Sequence, residues 1–286
     1  MKNNELNWVD DGLLRNENLG AWAEDKYMIL FNYLSIFSSG MKRIWDKRVF
    51  IDLFSGSGCG RIRNSDKILK GSPLLALSTP NRFDKYIFCD KEPDNIDALR
   101  QRVEAEFPDV DVTYIVGDCN EKIPEIERAI PAHSKSNTVL TFCFVDPFDL
   151  GIHFLSLKNL AKNRLIDFLI LLALHMDGNR NVKHYMNPRN VKVDHFLGDH
   201  AWRERWTEFQ KSGHGFPLFL ANEFEKRMFS LNYIKSSMGN RRAFKSDEKN
   251  LPLYHLAFFS KNPKGYKFWH QGLKYGSSQT IIEFEE

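Results

Sequence analysis

Five short apolar runs constrain this chain of 286 residues more than any other feature. They lie at 49–54, 86–89, 112–116, 139–145 and 166–174, and the first four close on glycine or aspartate. Segments of helical period separate them. Stretch 24–37 places Tyr27, Leu30, Phe31, Leu34 and Phe37 on one face before the first run. Stretch 94–107 does the same with Ile96, Leu99, Val103 and Phe107, and 123–130 and 154–163 follow the pattern. Runs of strand length alternating with amphipathic helices predict a mainly parallel sheet covered on both faces. Ligands bind such sheets at the carboxyl ends of the strands. Here those ends carry Asp52 with its glycines, Asp90, Asp118 and Asp146.

Beyond the fifth run the reading changes. A helix over 218–229 leads to an extended segment at 233–235, a polar loop at 239–245 and a strand at 254–260. The two extended pieces predict an antiparallel hairpin on the sheet edge, completing seven strands. A polar leader (1–20) precedes one domain (21–286), which carries insertions at about 60–72 and 175–215. The second insertion interleaves His184, Tyr185, Arg189 and Lys192 with Trp202 and Trp206. Basic and aromatic residues together suit nucleic-acid contact, but Trp202, Trp206 and Phe209 stand at helical spacing and read as core-facing.

Hydrophobic residues at 42% and charged residues at 27% describe an ordinary globular protein. Neither a cleavable apolar leader nor a membrane-length run is present, so a cytoplasmic protein is expected. Four cysteines, at 59, 89, 119 and 143, lack metal-ligand spacing and read as small buried thiols; strand alternation argues against their converging. No metal site is expected. Residues 1–150 carry a formal charge of −5 and residues 151–286 one of +8, an asymmetry that favours a polyanionic partner.

The stretch FIDLFSGSGCG at 50–60 identifies the ligand class. A dinucleotide fingerprint, G-x-G-x-x-G, needs a third glycine for helix packing, but that position is Arg61, with Gly60 one residue early. A nicotinamide-dependent oxidoreductase is thereby weakened. As D-L-F-x-G-x-G, the stretch resembles the first motif of class I S-adenosylmethionine-dependent methyltransferases, through Asp52, Phe54, Gly56 and Gly58. The variant with Phe54 in place of a further glycine is the one found in enzymes methylating DNA and RNA bases. The resemblance implies a ribose contact for Asp90 and an adenine contact for Asp118. It implies catalytic positions for Asp146, Pro147 and Phe148, which stand where amino-group methyltransferases carry a D/N-P-P-Y/F signature. This chain reads D-P-F-D there. Asp177, Asn179, Arg180 and Asn181, just past the fifth run, could read a phosphate or base edge, as could Arg241 and Arg242 in the polar loop.

A closer resemblance spans roughly residues 20–275. DLFSGSG, GSP-x-x-AL at 71–77, FVDPF at 144–148, MD-x-NRN at 176–181 and SK-x-P-x-G-x-x-x-W at 260–269 are similar to the three-Cys-motif partner (TcmP) family, a bacterial group of methyltransferase-like architecture. That family is implied to act beside a separate three-cysteine protein. Three expectations follow: a methyltransferase acting on an amino nitrogen of a nucleic-acid base, a catalytically idle fold serving as a binding partner, and, less favoured, the oxidoreductase. Asp52 to Asp90 spans 38 residues against the ~20 usual between such a loop and its ribose acid, which places a candidate lid beside the pocket.

Overall fold

The computed structural model describes residues 3–13, 19–236, 241–245 and 252–274. Seven strands form the main sheet: β2 (Lys47–Asp52), β5 (Lys85–Asp90), β6 (Val112–Val116), β7 (Val139–Val145), β8 (Ile166–Leu172), β9 (Arg241–Lys245) and β10 (Pro252–Phe259). Their order is β6-β5-β2-β7-β8-β10-β9. The first five run parallel, and β10 lies antiparallel between β8 and β9. This is the mostly parallel seven-stranded plan with an antiparallel C-terminal hairpin expected from the sequence. Chain direction reverses laterally at β2, so the switch point lies between β2 and β7, above the glycine loop.

Period-two alternation sorts the strand side chains into two cores. Val49, Ile51, Ile87, Cys143, Val145, Phe168 and Ile170 face one layer; Phe50, Tyr86, Phe88, Phe142, Phe144, Leu169 and Leu171 face the other. Nearly all are fully buried, as expected of parallel strands covered on both faces. The second layer is made by α1 (Ala23–Met41), α2 (Ser72–Leu77), α3 (Pro93–Glu106) and α10 (Pro263–Lys274), with Gly272 of α10 close against Tyr33 of α1. The first is made by α4 (Cys119–Ala129), α5 (Phe154–Ala161), α7 (Lys192–Leu197), α8 (Trp202–Phe209) and α9 (Phe216–Phe229); the short α6 (Val182–Tyr185) begins the insertion. Trp202 and Trp206 are buried there against Phe216 and Phe219, the core-facing reading.

Three expectations need correction. The edge hairpin pairs β10 with Arg241–Lys245, read from the sequence as a loop, rather than with 233–235. Segment 233–235 instead contributes a buried Tyr233 and the backbone bond from Ile234 N–H to the Ser260 carbonyl at 3.1 Å. Arg241 is tolerated in the edge strand because Glu225 of α9 neutralises it at 2.8 Å. Loop positions 239 and 240 lie outside the described residues, as do 1–2, 14–18 and 275–286 of the expected leader and domain.

The insertion after the glycine loop is not a bare polar loop. Cys59–Arg61 (β3) and Ile68–Lys70 (β4) form a hairpin that Asn7–Trp8 (β1) extends to a three-stranded sheet, β1-β4-β3. Ile62, Ile68 and Leu69 anchor it in the core.

Alternation also fails to separate the cysteines. Cys89, Cys119 and Cys143 share one core, and Cys59 lies in the other. All four are free and buried. Burial pushes the thiols of Cys59 and Cys89 up to about 11 and about 12, so they are inert rather than reactive.

Candidate active site

The carboxyl ends of β2, β5, β6 and β7 open into one cavity of about 1820 Å³. Its floor is the glycine loop. Gly56 has φ +58°, and a Cβ there would meet no atom within 4 Å, so the backbone is bare toward the cavity. Gly58, at φ +90°, is closed in: a Cβ would lie 2.7 Å from Leu99 Cδ1 and 3.2 Å from Leu74 Cγ. The two glycines therefore serve different ends, ligand approach at Gly56 and loop packing at Gly58. Phe54 lines the cavity beside them. The chain then enters β3, and the next helix begins only at Ser72. A pyrophosphate loop delivers its ligand directly to a helix N-terminus, and this loop does not. The inserted hairpin also accounts for the long spacing from Asp52 to Asp90.

Asp52 lies beneath the loop, fully buried. Its Oδ1 accepts the Phe54 N–H at 3.1 Å, while Oδ2 has no partner among the described residues. Burial pushes this carboxyl up to about 7, against the opposing Phe54 N–H bond and the nearby Ser72 hydroxyl. Asp90 lines the cavity and accepts Gly56 N–H at 2.7 Å, Glu92 N–H at 3.0 Å and Asn95 Nδ2 at 2.9 Å. It thus ties the loop to α3 and keeps lone pairs for a ligand. Asp118 caps α4 through the Asn120 N–H at 2.8 Å and also lines the cavity. Asn120 stitches the same edge together, donating to the Gly151 carbonyl and accepting from His153 N–H and Ser156 Oγ, each at 2.9 Å.

Asp146, Pro147 and Phe148 form the wall above β7. Pro147 is buried and Phe148 is 87% exposed at the lip. Asp146 Oδ2 accepts from Lys26 Nζ of α1 at 2.5 Å, with the two side chains 14% and 4% exposed. That ammonium also lies 4.4 Å from the Tyr27 ring centre and 5.0 Å from that of Trp22, and Trp22 stacks on Tyr254. Burial alone pushes the lysine down, but the adjoining Asp146 carboxylate outweighs it and holds Lys26 above its usual range. Lys26 went unread in the sequence. The signal was there: a lysine four residues before Leu30, on the apolar face of a helix.

The segment after β8 divides in role. Residues Leu174–Asn179 make a single π-helical turn, and Asp177 within it is a hub. It accepts Leu150 N–H at 2.9 Å, Asn181 Nδ2 at 2.7 Å and the Tyr185 hydroxyl, with Lys192 Nζ at 3.2 Å. Burial opposes ionisation, yet these donors hold its carboxyl below the usual range. Lys192 also reaches Asp149 at 2.6 Å, so this network pins the D-P-F-D loop from behind. Asp177, Asn179 and Asn181 therefore lie outside the cavity lining, whereas Arg180 is within it. Arg241 and Arg242 are also outside it: Arg241 is engaged with Glu225 and Asn222, and Arg242 is buried. Arg63, from the β3–β4 turn, and Arg189, from the insertion, join Arg180 at the cavity, and the guanidiniums of all three are exposed with no hydrogen bond or ion pair among the described residues.

His153 and His195 also line the cavity, edge to face at 4.5 Å; burial and the neighbouring ring lower His153. No group of three or more metal-ligating side chains occurs among the described residues. Nor is any helix among them long and apolar enough to cross a membrane.

No protein-family model matches this chain, and no curated protein matches it. Among solved structures, protein LPL1258 from Legionella pneumophila overlaps 87% of this chain and 91% of its own, at 11% identity and a TM-score of 0.49. The O-methyltransferase TomG from Streptomyces achromogenes, solved in complex with SAM, overlaps 80% and 79%, at 11% identity and 0.42. A candidate RNA methyltransferase from Pyrococcus horikoshii overlaps 80% and 81%, at 11% identity and 0.37.

Proposed function

We propose that this chain is an S-adenosylmethionine-dependent methyltransferase acting on an amino nitrogen of a nucleic-acid base. The observation that carries the reading is the convergence of a bare glycine loop with Asp90, Asp118 and Asp146 around one cavity at the sheet's carboxyl edge. The residues fit the cofactor: the open space at Gly56 would let the backbone approach its methionine part, and the cavity-lining Asp90 and Asp118 would hold its ribose and adenine. Bound there, the cofactor supplies an electrophilic methyl group on a sulfonium. A cavity of about 1820 Å³ exceeds the ~300–1,000 Å³ usual for one small ligand, leaving room for a second substrate.

The chain's own groups then position the acceptor. Asp146 Oδ1 and the Pro147 carbonyl accept hydrogen bonds from the amino group, aiming its lone pair along the line of transfer. Phe148 offers a face on which a base drawn out of its stack can rest. Arg63, Arg180 and Arg189 supply charge for the flanking phosphates. The acidic Asp90, Glu92 and Asp118 cluster on the cofactor side, and the other two cavity acids, Asp146 and Asp149, are already paired with lysines.

One observation favours a second reading. Lys26 takes Asp146 Oδ2 into a buried ion pair and leaves only Oδ1 for an acceptor, as in a catalytically idle fold kept as the binding partner of a three-cysteine-motif protein. The two readings part in one experiment. Tritiated methyl transfer from S-adenosylmethionine to total RNA and DNA is measured with wild type and Asp146→Ala. Label with wild type that disappears in the variant supports the enzyme; no label, despite calorimetric binding of S-adenosylhomocysteine, supports the idle partner. Absence of any cofactor binding sinks both.

A further inference from the structure

The N-terminal segment, polar and featureless in sequence, reaches the floor of the cavity through one buried arginine. Strand β1 joins the hairpin that follows the glycine loop, with Asn7 opposite Leu69 and Trp8 opposite Ile68. Just beyond it, Asp11 accepts Trp8 Nε1 and Leu13 N–H, each at 3.0 Å. Its two carboxylate oxygens also take a fork from Arg102 of α3: Nε to Oδ2 at 2.6 Å and Nη2 to Oδ1 at 2.7 Å. The remaining arm, Nη1, donates to the carbonyl of Ser57 at 2.5 Å. Ser57 stands between Gly56 and Gly58 and is itself buried. The Arg102 side chain is 1% exposed, so its charge depends on Asp11 for balance.

The loop needs such support. Its two glycines hold positive φ, and an unrestrained glycine loop samples many other conformations. It is gripped at two consecutive carbonyls: Ser57 by Arg102, and Gly58 by the Gly71 N–H at 2.6 Å. The second grip comes from the start of α2. The first exists only while the N-terminal segment neutralises the arginine. Arg102 stands three residues after Leu99 on the buried face of α3, a place where a lone cation would otherwise be expelled.

We propose that Asp11 and Arg102 are positioning residues for the cofactor loop, and that the N-terminal segment is a latch holding that loop in its ligand-ready shape. The proposal rests on the cofactor reading above. Arg102 touches the loop from behind, Asp11 acts through it, and neither lines the cavity. Loss of the latch therefore raises the cost of ordering the loop on binding and lowers affinity for an adenosine ligand without removing a ligand contact.

The test uses the full chain as wild type, Asp11→Asn, Asp11→Ala, Arg102→Lys and, as a control on the same segment, Asp10→Ala. Asp10, itself half-exposed, pairs with Arg61 and makes no bond to the 55–58 loop. S-adenosylhomocysteine affinity is measured by calorimetry, and hydrogen exchange is followed at residues 55–59 without ligand. Thermal melts confirm that each variant is folded. Asp11→Ala and Arg102→Lys are expected to bind at least tenfold more weakly, Asp11→Asn by an intermediate factor, and Asp10→Ala within twofold of wild type. Exchange at 55–59 rises in the same order. Asp11→Asn keeps one acceptor oxygen and serves if the alanine variant does not fold. Affinities and exchange within twofold of wild type in all folded Asp11 and Arg102 variants overturn the latch. A wild type that binds no S-adenosylhomocysteine overturns the cofactor reading instead, and the exchange arm then decides the latch alone.

Discussion

Removing the Lys26 ammonium should destabilise this protein more than an ordinary surface lysine could. The pair Lys26–Asp146 is 4% and 14% exposed, with nitrogen and oxygen 2.5 Å apart. Breaking a buried pair from one side leaves the partner's charge without balance and costs about 3–5 kcal/mol. Lys26→Met preserves the aliphatic stem and the packing beside Trp22 and Tyr27, so the loss reports the charge. For a domain of this size about 2 °C of melting temperature goes with each kcal/mol, giving a fall of roughly 6–10 °C. Asp146→Asn leaves the ammonium between aromatic rings without an anion and should cost a similar amount. The double variant Lys26→Met/Asp146→Asn removes both charges and should be less destabilised than the two singles added together, by at least about 2 kcal/mol. Guanidinium unfolding followed by tryptophan fluorescence measures all four corners of the cycle. Costs that add within about 0.5 kcal/mol would refute the claim that these two groups balance one another.

Asp167, buried beside Ser260, has a carboxyl pushed up to about 7 by burial, against the opposing Ser260 bond. A raised carboxylate binds its proton more tightly when folded, so its contribution is present below the unfolded value and fades as pH rises toward 7. Stability should fall between about pH 4 and 7 by up to ~1.4 kcal/mol per pH unit for each such group. Asp167→Asn should flatten that slope in melts taken across the range, whereas an unchanged slope would exclude this residue as its source. Charge reversal at Arg63, Arg180 or Arg189 should weaken binding of a labelled single-stranded oligonucleotide and reduce the dependence of log K on log salt by about 0.7 or more per site. An unaltered slope in anisotropy titrations would remove these residues from the proposed phosphate path. Finally, Gly58→Ala should cost about 2 kcal/mol or more, since its Cβ would meet Leu99 at 2.7 Å in a conformation alanine resists. Gly56→Ala, with open space around it, should cost about 1–2 kcal/mol of backbone strain while impairing cofactor binding more, and equal effects on melting and on binding would contradict the division.

Much of the frame was legible before any coordinates. Buried parallel strands must be apolar on both faces and must end where the chain turns into helices. Apolar runs closing on Gly56, Asp90, Asp118 and Asp146 therefore mark both the strands and the ligand edge. The glycine spacing weakened the dinucleotide reading for a local steric reason that one segment can carry. Local reading failed where the deciding partner is remote. Arg241–Lys245 reads as a polar loop until Glu225, 16 residues earlier, neutralises its first arginine. Asp177 reads as ligand-facing until Leu150 and Tyr185 occupy its oxygens, and Asn181 until its amide turns onto Asp177.

The strand–helix alternation, the bare loop and the row of acids are written locally, because each depends on periodicity or on backbone freedom over a few residues. Which charges remain for a ligand follows from the assembled fold alone. Lys26 meets Asp146 across 120 residues, and Arg102 meets Asp11 across 91. A buried charge is set by whatever the fold brings within a few ångströms, and no local pattern records that distance.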